Sequence, residues 1–475
     1  MRKFLVGATS ALLVVSWPVA AQAPRAISPS ERAQGAQAHP QLLEEFGGAY
    51  QGPQADYVRR VGQRIAAQSG LSNRPGDFTV TLLNSPVNNA FAIPGGYVYV
   101  TRQLMALAND EAELASVMGH EVGHVAARHA SKRNTTSTIG GIGALIVGVL
   151  TGSSEIAQAV GQGAQLVTLR FSRQQEFEAD DLGVQYLARG GYDPYASSRL
   201  LASLAASEAL DARINNRDAR ATPGWASTHP DPASRVARAA ERALATGLQG
   251  GEVGRNAYLA AVDGLLVDDD PRQGVIDGTT FRHPALGLAF SAPPGFAMQN
   301  GAQAVSVAGQ GGQAQFGGGR FAGDLRQYVA QVMRAATNGA GSNAEIRDAR
   351  VNGLEAAYAV ARINSRQGPV DLSVFAYAFD RGTAYYFVMM TPAGTGIGPF
   401  TPMVNSFRRL SPGEAASIRE RRIRIYTIRP GDTVQSVAAR MAYADYRVER
   451  LMVLNALRPG QPLMPGARVK IVSYQ

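Results

Sequence analysis

The pentapeptide His120-Glu121-Val122-Gly123-His124 is the stretch from which the rest of the chain can be interpreted. Apolar residues at helical spacing and acidic residues precede it, so the pattern predicts that it lies in a helix. On one face of that helix, His120 and His124 would lie one turn apart and could hold one Zn²⁺ ion through neutral imidazoles. Glu121 beside them could take a proton from the attacking water. Chance placement on a solvated helix is the alternative. It is less favoured because the chain has only six histidines, and because Gly123 costs a helix about 1 kcal/mol relative to alanine, which indicates close packing.

The first 23 residues have the pattern of a secretory signal peptide. Arg2 and Lys3 precede an apolar run over residues 4–15, and small residues over 20–23 offer a cleavage site. A membrane anchor is the alternative, but the apolar run is shorter than the ~20 residues that cross a bilayer. We therefore expect a periplasmic or secreted protein after signal peptide removal, with no transmembrane anchor.

The composition excludes several kinds of site. The chain has no cysteine, so disulfides, thiolate ligands and a lipid-modified cysteine are excluded, and a metal site must use nitrogen and oxygen. Its 475 residues have room for two to four domains. The net charge of +9 is moderate, and the basic cluster 419–424 is expected to be a solvated linker, with contact to anionic polymers or membrane surfaces as the alternative. No nucleic-acid-binding module is recognisable, so no nucleic acid partner is expected.

The segment before the pentapeptide predicts a helix followed by strands. Residues 24–40 have little apolar pattern and are expected to be a poorly ordered leader. Residues 57–66 have helical periodicity, and residues 78–83 alternate like a strand. A turn then leads into a strand over residues 97–101. An exposed edge at Gly96, Tyr97 and Val98 could bind substrate by strand addition, whereas an ordinary buried strand fits the pattern equally well.

Two features follow the pentapeptide. Residues 139–150 form an apolar run too short to cross a bilayer, and we expect the start of a buried hairpin there, with peripheral membrane contact as the alternative. His129 lies nine positions after His120, which would place it on the opposite side of a continuing helix. We therefore expect His129 to be structural.

The third zinc ligand is expected within residues 173–187, which have a helical pattern. A catalytic zinc ion takes three protein ligands and keeps a fourth position open. Glu176 and Asp180 are four residues apart and share a helix face, whereas Glu178 points away from both. One of the pair can bind the metal while the other holds a histidine ligand through its second ring nitrogen. The longer Glu176 is the predicted ligand, although a charged surface helix would be the interpretation if this stretch stood alone.

Residues 89–96, 120–124 and 176–180 together resemble the motifs of the zinc metallopeptidases of family M48, which include the HtpX-like and Oma-like proteases. The motifs follow in the family's order, and the resemblance covers about residues 40–245. It implies a gluzincin-type fold with Glu176 as the third ligand and Glu121 as the general base. It also implies that Asp180 supports a ligand.

The segment 227–235 is a further resemblance to that family, although from the residues alone a surface loop is the more common interpretation. The resemblance implies that His229 either stabilises the oxyanion or fills the fourth zinc position at rest. It implies that Arg235 supports the fold or an acidic partner. Many relatives carry transmembrane helices, and this chain has none after its signal, which argues against a membrane-embedded substrate.

The remainder of the chain predicts two smaller domains. A helix over 325–335 and strands over 356–363, 370–379 and 384–390, with a hairpin turn at 380–382, indicate an antiparallel α+β domain. From residue 425 a βααβ order containing Gly431-Asp432-Thr433 resembles a LysM module. That resemblance implies binding of peptidoglycan glycans by these three residues, and a module that only packs on its neighbours is the alternative.

The predicted fold class is therefore α+β. A signal peptide (1–23) precedes a mainly helical gluzincin-type metallopeptidase domain with a small sheet (24–250), an antiparallel α+β domain (251–415) and a βααβ LysM-like domain (425–475). The predicted activity is a zinc endopeptidase with one Zn²⁺ per chain, whose substrates are unfolded or misassembled envelope proteins or peptides. The alternatives are a peptidoglycan-tethered chaperone or scaffold with a silent metal site, and a hydrolase of peptidoglycan crosslinks.

Overall fold

The structure is a computed structural model that describes residues 26–129, 171–214, 229, 232–301, 304–337, 343–365 and 368–475. The expected signal peptide and the apolar run 139–150 lie outside these residues. Among the residues described, no helix is both long enough and apolar enough to cross a bilayer. The α-helices are α1 (Pro29–Glu45), α2 (Pro53–Ala66), α3 (Arg102–Leu107), α4 (Glu111–Ala126), α5 (Arg173–Arg189), α6 (Ala196–Ile214), α7 (Pro232–Ala245), α8 (Arg255–Val262), α9 (Leu325–Ala336), α10 (Thr401–Ser406), α11 (Pro412–Ser417), α12 (Val434–Ala438) and α13 (Arg447–Leu454).

The β-strands are β1 (Thr79–Leu83), β2 (Ala90–Ile93), β3 (Tyr97–Thr101), β4 (Leu266–Val267), β5 (Val275–Asp277), β6 (Thr280–His283), β7 (Leu288–Ser291), β8 (Ala297–Asn300), β9 (Val305–Gly309), β10 (Gly312–Arg320), β11 (Ile346–Val351), β12 (Leu354–Ser365), β13 (Gly368–Ala378), β14 (Thr383–Pro392), β15 (Arg408–Arg409), β16 (Arg421–Thr427) and β17 (Arg468–Tyr474). Helices dominate before residue 262 and strands dominate after it. This arrangement confirms the predicted α+β class.

The first helix, α1, occupies most of the segment predicted to be a poorly ordered leader. The Ser28 hydroxyl accepts a hydrogen bond from the Glu31 N–H at 3.2 Å, and the Glu31 carboxylate accepts one from the Ser28 N–H at 2.7 Å. This reciprocal cap starts the helix. Leu42, further along α1, is buried against Phe91 of the small sheet. The leader prediction was wrong because it relied on weak periodicity and ignored the capping pair.

The small sheet has the strand order β1-β3-β2, so β3 lies in its centre. It is parallel to β1 and antiparallel to β2. The Gly96 carbonyl, just before β3, accepts the Thr79 N–H at 2.8 Å. The predicted exposed edge at Gly96, Tyr97 and Val98 was therefore wrong, because the backbone there is already paired. Within the described part of the chain, the outer strand beside α4 is β2.

Helices α4 and α5 approach closely because glycines lie at their contact. A Cβ atom on Gly123 would lie 3.0 Å from the carbonyl oxygen of Ala179, and one on Gly183 would lie 3.1 Å from the backbone nitrogen of His120. Larger side chains would push the helices apart. The close packing expected at Gly123 is confirmed, and it brings the pentapeptide next to the helix that carries Glu176.

The middle of the chain forms a seven-stranded antiparallel sheet with the order β11-β12-β13-β14-β10-β9-β8. Helix α9 packs on one face, and the other face packs against the four-stranded sheet β15-β7-β6-β5. The predicted helix and three predicted strands correspond to α9, β12, β13 and β14. The predicted hairpin turn connects β13 to β14.

The C-terminal segment has the predicted βααβ order, formed by β16, α12, α13 and β17. Strand β16 pairs with β17 and also with β4, so the sheet order is β17-β16-β4. Ile423 and Ile471 share one hydrophobic core with Tyr258 and Val262 of α8 and with α2 and α4. Residues 255–267, which follow the expected boundary at residue 250, thus join the helical N-terminal part to the LysM-like segment.

Candidate metal centre

Four buried side chains converge between α4, α5 and the segment that precedes α7. They are His120, His124, Glu176 and His229. Each offers one potential ligand atom, and these atoms all lie within 4.8 Å of one another. Nε2 of His120 is 3.0 Å from Nε2 of His124 and 3.5 Å from Oε2 of Glu176. A tetrahedral ion with ligand bonds of about 2.1 Å separates its donors by roughly 3.4 Å. The spacing and the nitrogen and oxygen donors therefore fit one zinc ion.

Asp180 and Arg235 are partners of two of these side chains, His120 and Glu176. Nδ1 of His120 lies 2.9 Å from Oδ1 of Asp180, which leaves Nε2 directed at the centre of the cluster. Arg235, only 1% exposed, donates to both oxygens of Asp180 at 2.6 and 2.8 Å. Its Nη1 lies 2.6 Å from Oε2 of Glu176. The prediction that Arg235 holds an acidic partner thus corresponds to its contacts with Asp180 and with Glu176, the predicted third ligand.

His129 contacts His124, the second candidate ligand on α4. Helix α4 ends at Ala126, and Arg128 adopts a φ of 55°, so the chain turns back instead of continuing along the helix. The Nδ1 atoms of His129 and His124 are 2.8 Å apart, and Nε2 of His129 lies 3.1 Å from Oε2 of Glu178. The predicted position on the opposite side of the helix was wrong. Glu178 points away from the ligands, as predicted, but it reaches His124 through His129.

Glu121 is buried beside the cluster with one oxygen available. Among the described residues, its Oε1 accepts no hydrogen bond, and it lies 3.5 Å from Nε2 of His229. Burial raises the pKa of Glu121, and the neighbouring His229 and His120 partly oppose that shift. A raised pKa and a free oxygen suit a group that must accept and return a proton near neutral pH.

The electrostatics of the cluster favour positive charge. Burial lowers the pKa of His120, but hydrogen bonds to Asp180 and Glu176 outweigh it and raise that pKa to about 9. Burial and the nearby His120 hold the pKa of His124 well below its usual value. Burial alone would raise the pKa of Glu176, yet His229 and His120 keep it far below the ordinary range. Asp180 and Glu176 thus stabilise a positive charge at the cluster, which a divalent cation would supply once His120 has lost its proton.

The predicted glycan-binding residues form the loop between β16 and α12. Asp432 accepts hydrogen bonds from the Arg429 N–H at 2.7 Å and from the Tyr426 hydroxyl at 2.8 Å. Thr433 caps α12, and Gly431 has a φ of 86°, which glycine adopts without strain. These contacts shape the loop and leave Gly431 and Thr433 exposed. Glycan binding by the three residues stays a prediction.

This arrangement is typical of zinc metallopeptidases. Two histidines lie four residues apart on one helix with a glutamate between them, and a carboxylate from a neighbouring helix is the third ligand. Residues 53–243 match Peptidase family M48, and residues 426–472 match the LysM domain. The chain thus contains a segment that matches the M48 peptidase family, followed by a segment that matches the LysM domain.

Two curated relatives match the peptidase part. The Beta-barrel assembly-enhancing protease of Escherichia coli (strain K12) is 34% identical over 197 residues, which are 39% of this chain and 38% of that protein. Mitochondrial metalloendopeptidase OMA1 of Schizosaccharomyces pombe is 30% identical over 216 residues, 44% of this chain and 60% of that protein. The chain therefore spans about two fifths of the length of the first relative. A crystal structure of a protein from Bacteroides thetaiotaomicron aligns with 42% of this chain and 88% of its own chain at 9% identity, with a TM-score of 0.24, which is too low to indicate a shared fold.

Proposed function

We propose that the protein is a zinc-dependent endopeptidase. The observation that carries this proposal is the convergence of His120, His124 and Glu176 on one point, with the buried Glu121 beside them. A scaffold or a structural zinc site needs the ligands but has no use for an adjacent carboxylate with a free oxygen. The similarity of residues 53–243 to Peptidase family M48 supports the same activity.

The roles of the side chains follow from their positions. When bound, zinc lowers the pKa of a water molecule to about 7 and polarises the peptide carbonyl. Glu121 accepts the proton of the attacking water and later returns it to the leaving amine. Asp180 orients the His120 ring, and Arg235 holds the Glu176 carboxylate in place.

We also propose that His229 closes the fourth ligand position at rest. Its Nδ1 lies 3.3 Å from Nε2 of His120 and 3.1 Å from Oε1 of Glu176, so the imidazole occupies space that water or substrate must enter. The expected effect of His229→Ala is faster cleavage of an unfolded protein, with zinc affinity within about threefold of the wild type. Slower cleavage at unchanged zinc affinity would instead favour a role for His229 in stabilising the oxyanion.

Substrates are expected to be unfolded or misassembled envelope proteins. The name of the Escherichia coli relative concerns β-barrel assembly, and the predicted signal peptide and LysM-like segment favour a protein retained near peptidoglycan in the periplasm. Because β3 is paired on both sides, the substrate backbone would add to the outer strand β2, which lies beside α4. Strand addition recognises backbone and tolerates varied side chains.

The test compares wild type with Glu121→Gln, using the zinc-loaded full chain on β-casein and on purified peptidoglycan. Glu241→Gln, an exposed glutamate on α7, is the matched control. We expect Glu121→Gln to keep its zinc and lose roughly 10²- to 10⁴-fold of its casein cleavage, the range that general acid–base catalysis contributes. Release of muropeptides that is lost in the variant would identify a crosslink hydrolase. Absence of both activities in the wild type would leave the chaperone or scaffold.

A further inference from the structure

Lysine is rare in this chain, occurring only at Lys3, Lys132 and Lys470, while the other basic side chains are arginines. Lys470 lies on β17 of the LysM-like segment and is completely buried. A buried ammonium is costly unless it is hydrogen-bonded, so its partners indicate why a lysine stands there.

The partners of Lys470 lie in the peptidase part, immediately before the zinc helix. Its Nζ donates to the carbonyls of Ala106, Leu107 and Ala108 at 2.7, 3.2 and 2.6 Å. These carbonyls end α3 and form the turn into α4. An ammonium has three donors and suits three converging acceptors, whereas the planar guanidinium of arginine does not. A cation at the last carbonyls of a helix is also favoured by the helix dipole.

Residues at the start of α4 also stabilise the turn between α3 and α4. Asp110 caps α4 by accepting the Glu113 N–H at 2.8 Å, and the Glu113 carboxylate accepts the Asn109 N–H at 2.8 Å. Arg255 donates to the Asn109 carbonyl at 2.9 Å, and Arg199 lies 3.3 Å from Asp110. The start of α4 is therefore set by contacts from several elements, including Lys470 of the LysM-like segment.

Strand β17 cannot shift freely relative to this turn. Asn455, at the end of α13, accepts the Lys470 N–H at 2.7 Å and donates to the Lys470 carbonyl at 2.8 Å. The neighbouring strand β16 pairs with β4, which belongs to the connection from the peptidase part. The exposed loop that contains Gly431 and Thr433 is formed by other residues of the segment, so docking leaves that loop open.

We propose that Lys470 is a positioning residue of the peptidase, which holds the α3–α4 turn and thereby fixes the helix that carries His120, Glu121 and His124. The LysM-like segment then helps to position the peptidase site, and it is not a separately folded domain that only attaches the peptidase to peptidoglycan. His120 lies nine residues from the start of α4, roughly 14 Å along a rigid helix, so a displaced start would move the ligands. This inference rests on the proposed peptidase function.

The test uses the full chain and three forms of position 470. Lys470→Met removes the ammonium and keeps an unbranched apolar stem. Because the chain has no cysteine, Lys470→Cys can be alkylated while unfolded with 2-bromoethylamine, which restores the ammonium, or with 1-iodopropane, which gives a neutral side chain of similar length. Arg458→Met, which removes an exposed cation from the same segment, is the control. The readouts are zinc affinity by chelator competition, and kcat and KM on β-casein.

We expect Lys470→Met and the propyl form to bind zinc about tenfold more weakly, as when a ligand support is lost. Their kcat should fall roughly tenfold or more at an unchanged KM, because misplaced catalytic groups lower the rate of reaction. The aminoethyl form and Arg458→Met should match the wild type. The proposal is overturned if Lys470→Met keeps wild-type zinc affinity and kcat, or if the propyl and aminoethyl forms recover equally. Since both alkylated forms follow one refolding route, this comparison holds even where Lys470→Met is insoluble.

Amine acetylation tests the docking separately. In native wild-type protein, Lys470 should be acetylated at least roughly tenfold more slowly than in urea-unfolded protein, because its ammonium is buried. Equal rates in both states would overturn the proposal. If the wild type cleaves no casein, the proposed peptidase function fails, whereas the zinc competition and acetylation results still decide the role of Lys470.

Discussion

Replacing Asp180 by asparagine should weaken zinc binding although Asp180 is not a ligand. Its carboxylate accepts two bonds from Arg235, at 2.6 and 2.8 Å, and lies 2.9 Å from Nδ1 of His120. Asparagine has a single acceptor oxygen, so Asp180→Asn turns an NH₂ group towards a donor and loosens either His120 or Arg235. Loss of a ligand support lowers metal affinity by about 10- to 100-fold, or ~1.4–2.7 kcal/mol. We expect the upper end, since Arg235 also holds the ligand Glu176.

The assay is chelator competition on the full chain, with Asp181→Asn as the matched control. Asp181 is the adjacent residue on α5 and pairs with Arg238 at 2.7 Å and Arg242 at 2.9 Å on the protein surface. These pairs are partly exposed, contribute about 0–1 kcal/mol to stability and include none of the predicted zinc ligands. Zinc affinity of Asp180→Asn within about threefold of the wild type, or an equal loss in Asp181→Asn, would refute the reasoning.

Three further changes have expected outcomes. His129→Leu removes the partner of His124 and should weaken zinc binding about tenfold in the same competition assay; unchanged affinity would contradict its supporting role. Gly123→Ala should lower the melting temperature despite a gain of about 1 kcal/mol in helix propensity, because the new Cβ lies 3.0 Å from the Ala179 carbonyl oxygen; a higher melting temperature would show that α4 and α5 can separate. Burial raises the pKa of Glu45 from 4.5 to about 6, so its ionisation costs stability as pH rises through that window. Calorimetry should therefore find Glu45→Gln more stable by about 1–2 kcal/mol at pH 7 and unchanged at pH 4, and equal effects at both pH values would exclude this cause.

Short-range patterns in the sequence predict the parts of the site that regular helices present. The four-residue spacing of His120 and His124, and of Glu176 and Asp180, places each pair on one helix face wherever the helices lie. The same reasoning failed for His129, because it assumed that α4 continues, whereas the chain leaves the helix at Ala126. No glycine or proline marks that end in the sequence, so the local pattern offered no warning.

Other features depend on contacts between distant segments. The Ser28 and Glu31 capping pair was readable and would have predicted α1. Strand order was not readable, because the pairing of β3 on both sides depends on which strands meet after folding. The docking of the LysM-like segment also depends on distant contacts. The sequence shows Lys470 only as a strand residue, because its three acceptors belong to a distant segment of the chain.

His229 and Arg235 are close in sequence and both contact Glu176, but Arg235 lies within a helix and His229 precedes it. Arg235 lies within α7, where ion pairs with Glu176 and Asp180, each at 2.6 Å, fix its guanidinium. His229 precedes α7 and lies 3.1 Å from Glu176 and 3.5 Å from Glu121. Departure of His229 would therefore leave Glu176 held by Arg235 and open the space beside Oε1 of Glu121 to water. If His229 closes the site as proposed, open and closed forms can share the ligands His120, His124 and Glu176, because the closing group is separate from the supporting Arg235.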